Sequence, residues 1–168
     1  MIDREQKILR ARDLFLSGYN CAQSVAAAFA PEMGMTEKQI LRLIGGFGGG
    51  LGGLRVMCGT VSAMCMVVSW LHGYDEPDDF DGKKHLYATE QRMAAHFTDK
   101  YGTLSCRELL TAAGVEVKNT PSERTPEYYR KRPCVRYVEH SAGILADELN
   151  ELNGQAGSPA AEGRRPSR

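Results

Sequence analysis

Cys21, Cys58, Cys65, Cys106 and Cys134 are the residues of this 168-residue chain best suited to chemistry, and their spacing says what that chemistry is not. No two form C-x-x-C, which disfavours a thioredoxin-like or zinc-ribbon site built from one loop, and without C-x-x-C-H there is no covalent haem attachment. Their positions relative to predicted helices are more telling. Cys21 follows Asn20, an N-cap residue with Gln23 three positions on, and Cys106 follows Ser105, an N-cap with Glu108 at the third position. Cys134 follows Pro133, and Cys58 lies just after a glycine-rich loop, at the start of an apolar helix predicted from about Val56. Four thiols are thus predicted in the first turn of a helix. Free amides and the helix macrodipole favour negative charge there and lower a thiol pKa below its usual value of about 8.5. A thiolate is both a redox nucleophile and a metal ligand. If the four meet through the tertiary fold, a four-thiolate cage could hold an iron-sulfur cluster or zinc. Two close pairs could instead cycle between dithiol and disulfide. Cys21 with Cys58 is then the first pair to consider, because both adjoin the glycine loop in sequence order.

That loop, Gly45 to Gly53, has seven glycines in nine positions, a density that signals positive φ or very close approach to another group. Gly48, Gly50 and Gly53 satisfy G-x-G-x-x-G, but a predicted helix, not a strand, precedes them and no Gly-Lys-Ser/Thr follows, so nucleotide binding is disfavoured. The amides of Gly48, Gly49 and Gly50 are instead candidates for facing a negatively charged group. Flexible packing against the next helix is the alternative. On that helix Cys58, Ser62, Cys65, Ser69 and His72 recur at steps of four and three, which makes them one side of a segment otherwise apolar all round. They are expected to be the polar seam of the core, with Cys65 and the serines packing closely.

Stepping outward, 168 residues suffice to bury a core without disulfides or metal as an obligatory staple. Basic and acidic residues balance at 21 each, leaving no general attraction to nucleic acid or anionic membrane. The amino terminus, MIDREQKILRARDLF, is charged and amphipathic rather than a signal peptide. The apolar run Val56 to Leu71 is shorter than the roughly 20 residues a spanning helix needs. A cytoplasmic location is expected, where an odd set of five cysteines points to redox, catalytic or metal-binding use rather than a disulfide framework.

The remaining pattern is helical throughout. Ile8, Leu9, Ala11, Leu14 and Phe15 predict a first helix ending at Ser17 and Gly18. A second runs from Asn20 to Pro31, and a third from the Thr36 cap to Ile44. Asp79 to Lys100 reads as one amphipathic helix on which His85, Glu90 and His96 occupy a solvated face, since their spacing does not match Glu-x-x-His. Ser105 caps a short helix ending at Gly114, a polar proline-bearing connection follows, EYYRKR offers a turn or two, and Cys134 begins the last helix. The expected fold is all-α, a single domain of about six or seven helices over residues 1–153 around a buried central helix preceded by the glycine-rich loop. Residues 154–168 are expected to form a disordered tail.

With these residues placed, the chain resembles the C_GCAxxG_C_C family of redox-active proteins. The resemblance rests on GYNCAQSV (Gly18 to Val25), GGFGGGLGG, CGTVSA (Cys58 to Ala63), SCRELL (Ser105 to Leu110) and PCVRYVEHSAGIL (Pro133 to Leu145), and spans about Ala11 to Leu149. It implies that Cys21, Cys58, Cys106 and Cys134 are the family cysteines and that Cys65 is additional. The chain departs at CGTVSA, where Thr60 stands for the pattern's alanine and Ala63 for its second glycine, adding bulk beside Cys58. The family is similar to a domain of split-Soret cytochromes, which implies a non-haem iron-sulfur centre and, lacking the attachment motif, no haem.

Three functions are therefore expected to compete. The first is a redox protein binding an iron-sulfur cluster or other metal through Cys21, Cys58, Cys106 and Cys134, exchanging electrons with a redox partner protein or sensing redox state. Helix-start amides bonded to cluster sulfurs would raise its potential. The second is thiol-disulfide exchange by a low-pKa pair, which would make the protein an enzyme. The third is a non-catalytic helical interaction module whose cysteines only pack. The apolar central helix and the ProCysValArgTyr segment could also support a homodimer.

Overall fold

The computed structural model describes residues 1–156. Nine α-helices and one short 3-10 turn account for nearly all regular structure among them, and no strand is present. The helices are α1 (Arg4–Leu16), α2 (Cys21–Ala27), α3 (Ala30–Met33), α4 (Glu37–Leu43), α5 (Gly59–His72), α6 (Phe80–Tyr101), α7 (Cys106–Ala112), α8 (Pro126–Lys131) and α9 (Cys134–Ala156), with the 3-10 turn at Gly45–Phe47. The all-α class stands, and the surplus over six or seven comes from short segments. The predicted helix from Asn20 to Pro31 is interrupted: α2 stops at Ala27 and α3 restarts at Ala30. At the break the chain tightens, Phe29 N–H donating to the Ala26 carbonyl at 3.0 Å, and the buried Lys7 of α1 reaches it, its ammonium donating to the Ala28 carbonyl at 2.9 Å and to Glu32 at 2.7 Å. The last helix passes the expected boundary at 153 and continues through Gly154 to Ala156; the rest of the predicted tail lies outside the described residues.

α1 lies along α9, and α5 is enclosed by α2, α6 and α9. Val61, Met64, Val67 and Val68 of α5 meet Val25, Phe29, Met93, Phe97, Val138 and Leu145 in one core, all at most 2% exposed. The expected polar seam of α5 is corrected. Ser62, Cys65 and Ser69 are half-buried rather than central, and Trp70 is exposed. Ser69 donates to Glu90 of α6 at 3.2 Å, so this side of α5 serves as the polar edge of its contact with α6. Among the described residues no helix is long and apolar enough to cross a membrane.

Two local features aim the core's open end at a single place. The first is the glycine loop, in which five successive residues, Gly49, Gly50, Leu51, Gly52 and Gly53, have positive φ. Only glycine visits this region routinely, and Leu51 and Arg55 (φ 68° and 63°) are held there at a cost of about 1–2 kcal/mol each. The second is a short antiparallel pairing in place of the predicted first turn of α5. Cys58 donates its N–H to the Leu104 carbonyl (2.8 Å), Cys106 to Val56 (2.9 Å) and Arg107 to Arg55 (3.1 Å). Residues 55–58 are therefore committed to 104–107, and α5 starts at Gly59 instead of Val56.

The loop's closeness is tight enough to test. A Cβ on Gly50 would lie 2.7 Å from Cys106 Cβ and 2.8 Å from Arg55 Cα, whereas one on Gly46 would meet nothing within 4 Å. Gly50→Ala combines left-handed strain with overpacking and is expected to lower stability by about 3 kcal/mol in urea unfolding. Gly46→Ala should change it by no more than about 0.5 kcal/mol. Equal effects would mean that the loop is not packed as described.

Candidate functional site: a four-thiol cavity

Cys21, Cys58, Cys106 and Cys134 all line one cavity of about 560 Å³ between the glycine loop, the starts of α2, α5, α7 and α9, and the connection that carries α8. Each reaches it for a different local reason. Cys21 is the first residue of α2, behind an Asn20–Gln23 capping box. Asn20 also donates its side-chain amide to the Gly45 carbonyl at 2.9 Å, which ties that helix start to the loop. Gly48 has no room for a Cβ because the Asn20 side chain fills the space. Cys106 begins α7 and rests on Gly50; Cys134 begins α9 after Pro133. Cys58 is the N-cap residue of α5 rather than a residue of its first turn, and its side chain makes no capping bond. Its sulfur instead lies 3.2 Å from the Thr60 hydroxyl, which accepts a hydrogen bond from Ser141 of α9 at 2.8 Å. Cys21 Sγ packs directly on Gly59, where a Cβ would come within 2.7 Å of it. That residue adjoins Cys58 in the chain. All five cysteines are free thiols.

The other expected site residues fall elsewhere or only partly here. Gly48 and Gly49 line the cavity with Gly45, Gly52 and Gly53, while Gly50 lies under Cys106 and is not part of the lining. The N–H groups of Gly49 and Gly50 have no hydrogen-bond partner among the described residues. Cys65 sits in a separate shallow recess with Tyr87 and Glu90 between α5 and α6. His85 and His96 are exposed, Glu90 is half-buried against Ser69, and burial lowers the affinity of His72 for a proton.

At Cys58, Cys106 and Cys134 the electrostatics are the reverse of the helix-start expectation. Burial pushes the Cys58 thiol far up, with the neighbouring Cys21 adding to it and the Thr60 hydroxyl and amide opposing. Cys134 is pushed up to about 12 by burial and by Cys21, against Arg132 and Arg124. Cys106 is raised by burial despite Arg55 and Arg132, and Cys65 reaches about 12 through burial and Glu90. Two physical reasons defeat the helix-start effect. Desolvation of a charge outweighs a macrodipole worth at most about 2 kcal/mol. The amides are also already used: Gln23 N–H donates to Asn20, Glu108 N–H to Ser105, and those of Cys106 and Arg107 to the paired segment.

Sequence reading passed over three cavity residues that belong to no periodic pattern: Arg55, Arg124 and Arg132. Arg55 lies two residues past the loop and is 7% exposed; Arg124 and Arg132 flank Tyr128 with guanidinium carbons 4.5 and 4.7 Å from its ring centre. Among the described residues, not one acidic or histidine side chain lines the cavity. The donor set is thus four soft sulfurs with positive charge behind them, which suits thiolate-bound metal or cluster chemistry. Among the described residues no three His, Cys, Asp or Glu side chains are close enough together to hold one metal ion as they stand.

This arrangement defines an all-helical protein with four thiols gathered at one cavity by four separate helix starts. The family model described as "Putative redox-active protein (C_GCAxxG_C_C)" matches residues 19–148, and the chain belongs to that family. No curated protein and no solved structure matches it.

The thiol electrostatics carry a pH dependence with a definite sign. The folded pKa values of Cys58, Cys134 and Cys65 lie above the unfolded value of about 8.5, so the unfolded chain releases these protons first as pH rises. The metal-free, reduced protein should therefore lose stability from about pH 8.5 upward, through the range to the folded values. At about pH 7.5, iodoacetamide with peptide mapping should modify Cys58 and Cys134 more than about tenfold more slowly than a free thiol. Stability that rises above about pH 8.5, or labelling at the free-thiol rate, would contradict this account.

Proposed function

We propose that this protein is a small redox carrier or sensor in which Cys21, Cys58, Cys106 and Cys134 hold an iron-sulfur cluster. The observation that carries the reading is the cavity itself: four thiols from four elements, with no carboxylate or imidazole lining it among the described residues. A single zinc ion would need every sulfur about 2.3 Å from one point. Thiols distributed around about 560 Å³ fit ligation to several irons better. Buried thiols with high proton affinity make poor free nucleophiles, whereas metal binding displaces their protons. When bound, the cluster would supply one-electron redox chemistry. The residues of the chain would do the rest. The Thr60 hydroxyl, fixed by Ser141, is placed to bond Cys58 sulfur, and Arg55 Nη1, 4.0 Å from Cys106 Sγ, to offset negative charge there. A partner protein would exchange electrons across the loop, where Phe47, Leu51 and Leu54 are exposed. A reducing, cytoplasmic setting would keep the thiols available.

A second reading is favoured by the packing of Cys21 Sγ on Gly59, the residue after Cys58. In it the two thiols would form a disulfide, losing two protons and two electrons to a partner disulfide that is reduced to two thiols.

Anaerobic purification with iron and acid-labile sulfide assays separates the two readings. Iron and sulfide are expected in the wild type, with loss in Cys21→Ser, Cys58→Ser, Cys106→Ser and Cys134→Ser and retention in Cys65→Ser. Colourless protein without iron or sulfide even after reconstitution sinks the cluster. A Cys21–Cys58 disulfide formed under mild oxidation would then support the exchange reading.

A further inference from the structure

Three arginines line the cavity, and none of them is in an ion pair among the described residues. This departs from how the fold treats buried charge elsewhere: Lys7, 5% exposed, is matched by Glu32 at 2.7 Å. Arg55, 7% exposed, is fixed by donation from Nε to the Lys118 carbonyl at 2.8 Å, leaving its nearest other partner the Cys106 sulfur at 4.0 Å. Arg124 stacks on Phe15 and Tyr128, with its guanidinium carbon 5.0 and 4.5 Å from the two ring centres, and donates Nη2 to the Tyr19 carbonyl at 3.3 Å. Its Nη1 is buried with no partner. Arg132 lies 4.7 Å from the same Tyr128 ring and donates to Ser122 at 3.2 Å.

Stacking and carbonyl bonds orient these guanidinium groups without neutralising them, and a desolvated cation left without an anion is costly. The planar fork of arginine matches two oxygens of a carboxylate or oxyanion, and it is the usual choice where such groups are recognised. The left-handed loop adds the unpartnered N–H of Gly49, which also lines the cavity.

We propose that the cavity is a receptor for a small polyanionic oxygen ligand, an inorganic oxyanion or a dicarboxylate, gripped by Arg55, Arg124 and Arg132 beside the thiols. The site belongs to the metal-free chain as well and does not depend on cluster binding.

The test is titration calorimetry on the reduced, metal-free full chain at constant ionic strength in chloride. Sulfate and phosphate form one arm, malonate and succinate the other, and the arm that binds identifies the source of the oxygens. Saturable one-to-one binding is expected, weakened about tenfold or more in Arg124→Gln and in Arg132→Gln. These residues are only partly buried, so the variants should fold, which circular dichroism verifies. Arg10→Gln, in the exposed pair with Glu37 and outside the cavity lining, should bind as the wild type does. Absence of saturable binding by all four probes into the millimolar range overturns the proposal. So does binding unaffected by either cavity variant, which would mean an adventitious ion only. Iron and sulfide loading of the same variants is measured separately. Arginine variants that lose iron while no probe binds the metal-free wild type would assign these side chains to the cluster alone, and anion binding without iron would remove the cluster and leave the receptor.

Discussion

The structure depends on groups packed directly against glycines in and just after the glycine-rich loop, where a side chain would leave no room for them. Gly48 abuts Asn20, Gly50 abuts Cys106 and Arg55, Gly53 abuts the Asn119 carbonyl, and Gly59 abuts Cys21. Gly48 and Gly59 hold the start of α2, Gly50 the start of α7 and Gly53 the connection that follows it, and a methyl group at any of the four would force its neighbour away. Positive φ from Gly49 to Gly53 is what folds the chain back far enough to make these contacts at once. The strain at Leu51 and Arg55 is retained because six backbone bonds from within residues 51–56 to carbonyls of the same loop over-determine it. Thiols more than a hundred residues apart therefore share a cavity because of a local conformation, not because one helix carries them.

Within that cavity two opposing electrostatic demands are visible. Burial favours the neutral thiol at Cys58, Cys106 and Cys134, while Arg55, Arg124, Arg132 and the Thr60 donors favour negative charge. Burial prevails in the metal-free chain, because removing water costs a buried thiolate more than a few oriented dipoles return. The arginines nevertheless remain without an ion-pair partner among the described residues, Arg55 buried and Arg124 and Arg132 half-buried. A site built only to store neutral thiols would have no need of them.

The all-α class, the boundaries of α6 and α7 and the capping boxes before Cys21 and within α4 were legible because caps and apolar periodicity are local signals. Gathering of cysteines could be suspected from four helix starts, but their ionisation could not. Whether amides at a helix start are free depends on partners such as Val56 and Arg55, which lie some fifty residues from Cys106 and leave no periodic trace. The extended pairing of residues 55–58 was hidden for the same reason: a run apolar from Val56 reads as helix until its tertiary partner is known. The connection after Gly114 looked like a polar linker, yet it supplies Arg124, Tyr128 and Arg132 to the cavity, while its other charges face solvent.

These parts are not equally fixed. Cys58 and Cys106 are held together by backbone pairing, and Cys58 is further coupled through Thr60 and Ser141 to α9. Cys21 is tied to the loop through Asn20. The segment that closes the cavity's remaining side is attached more lightly: Arg55 to the Lys118 carbonyl, Arg124 to Tyr19, Tyr129 to the Phe15 carbonyl at 3.3 Å, and stacked rings. Few buried apolar contacts and mainly side-chain tethers are the marks of a region with low local stability. It also leads directly into Pro133 and Cys134, so movement of this segment alters the distance of Cys134 from the other three sulfurs more readily than any shift among those three. Arg124 and Arg132 ride on the same segment, and whatever anion they meet, ligand or thiolate, acts on the wall of the cavity that is held most lightly.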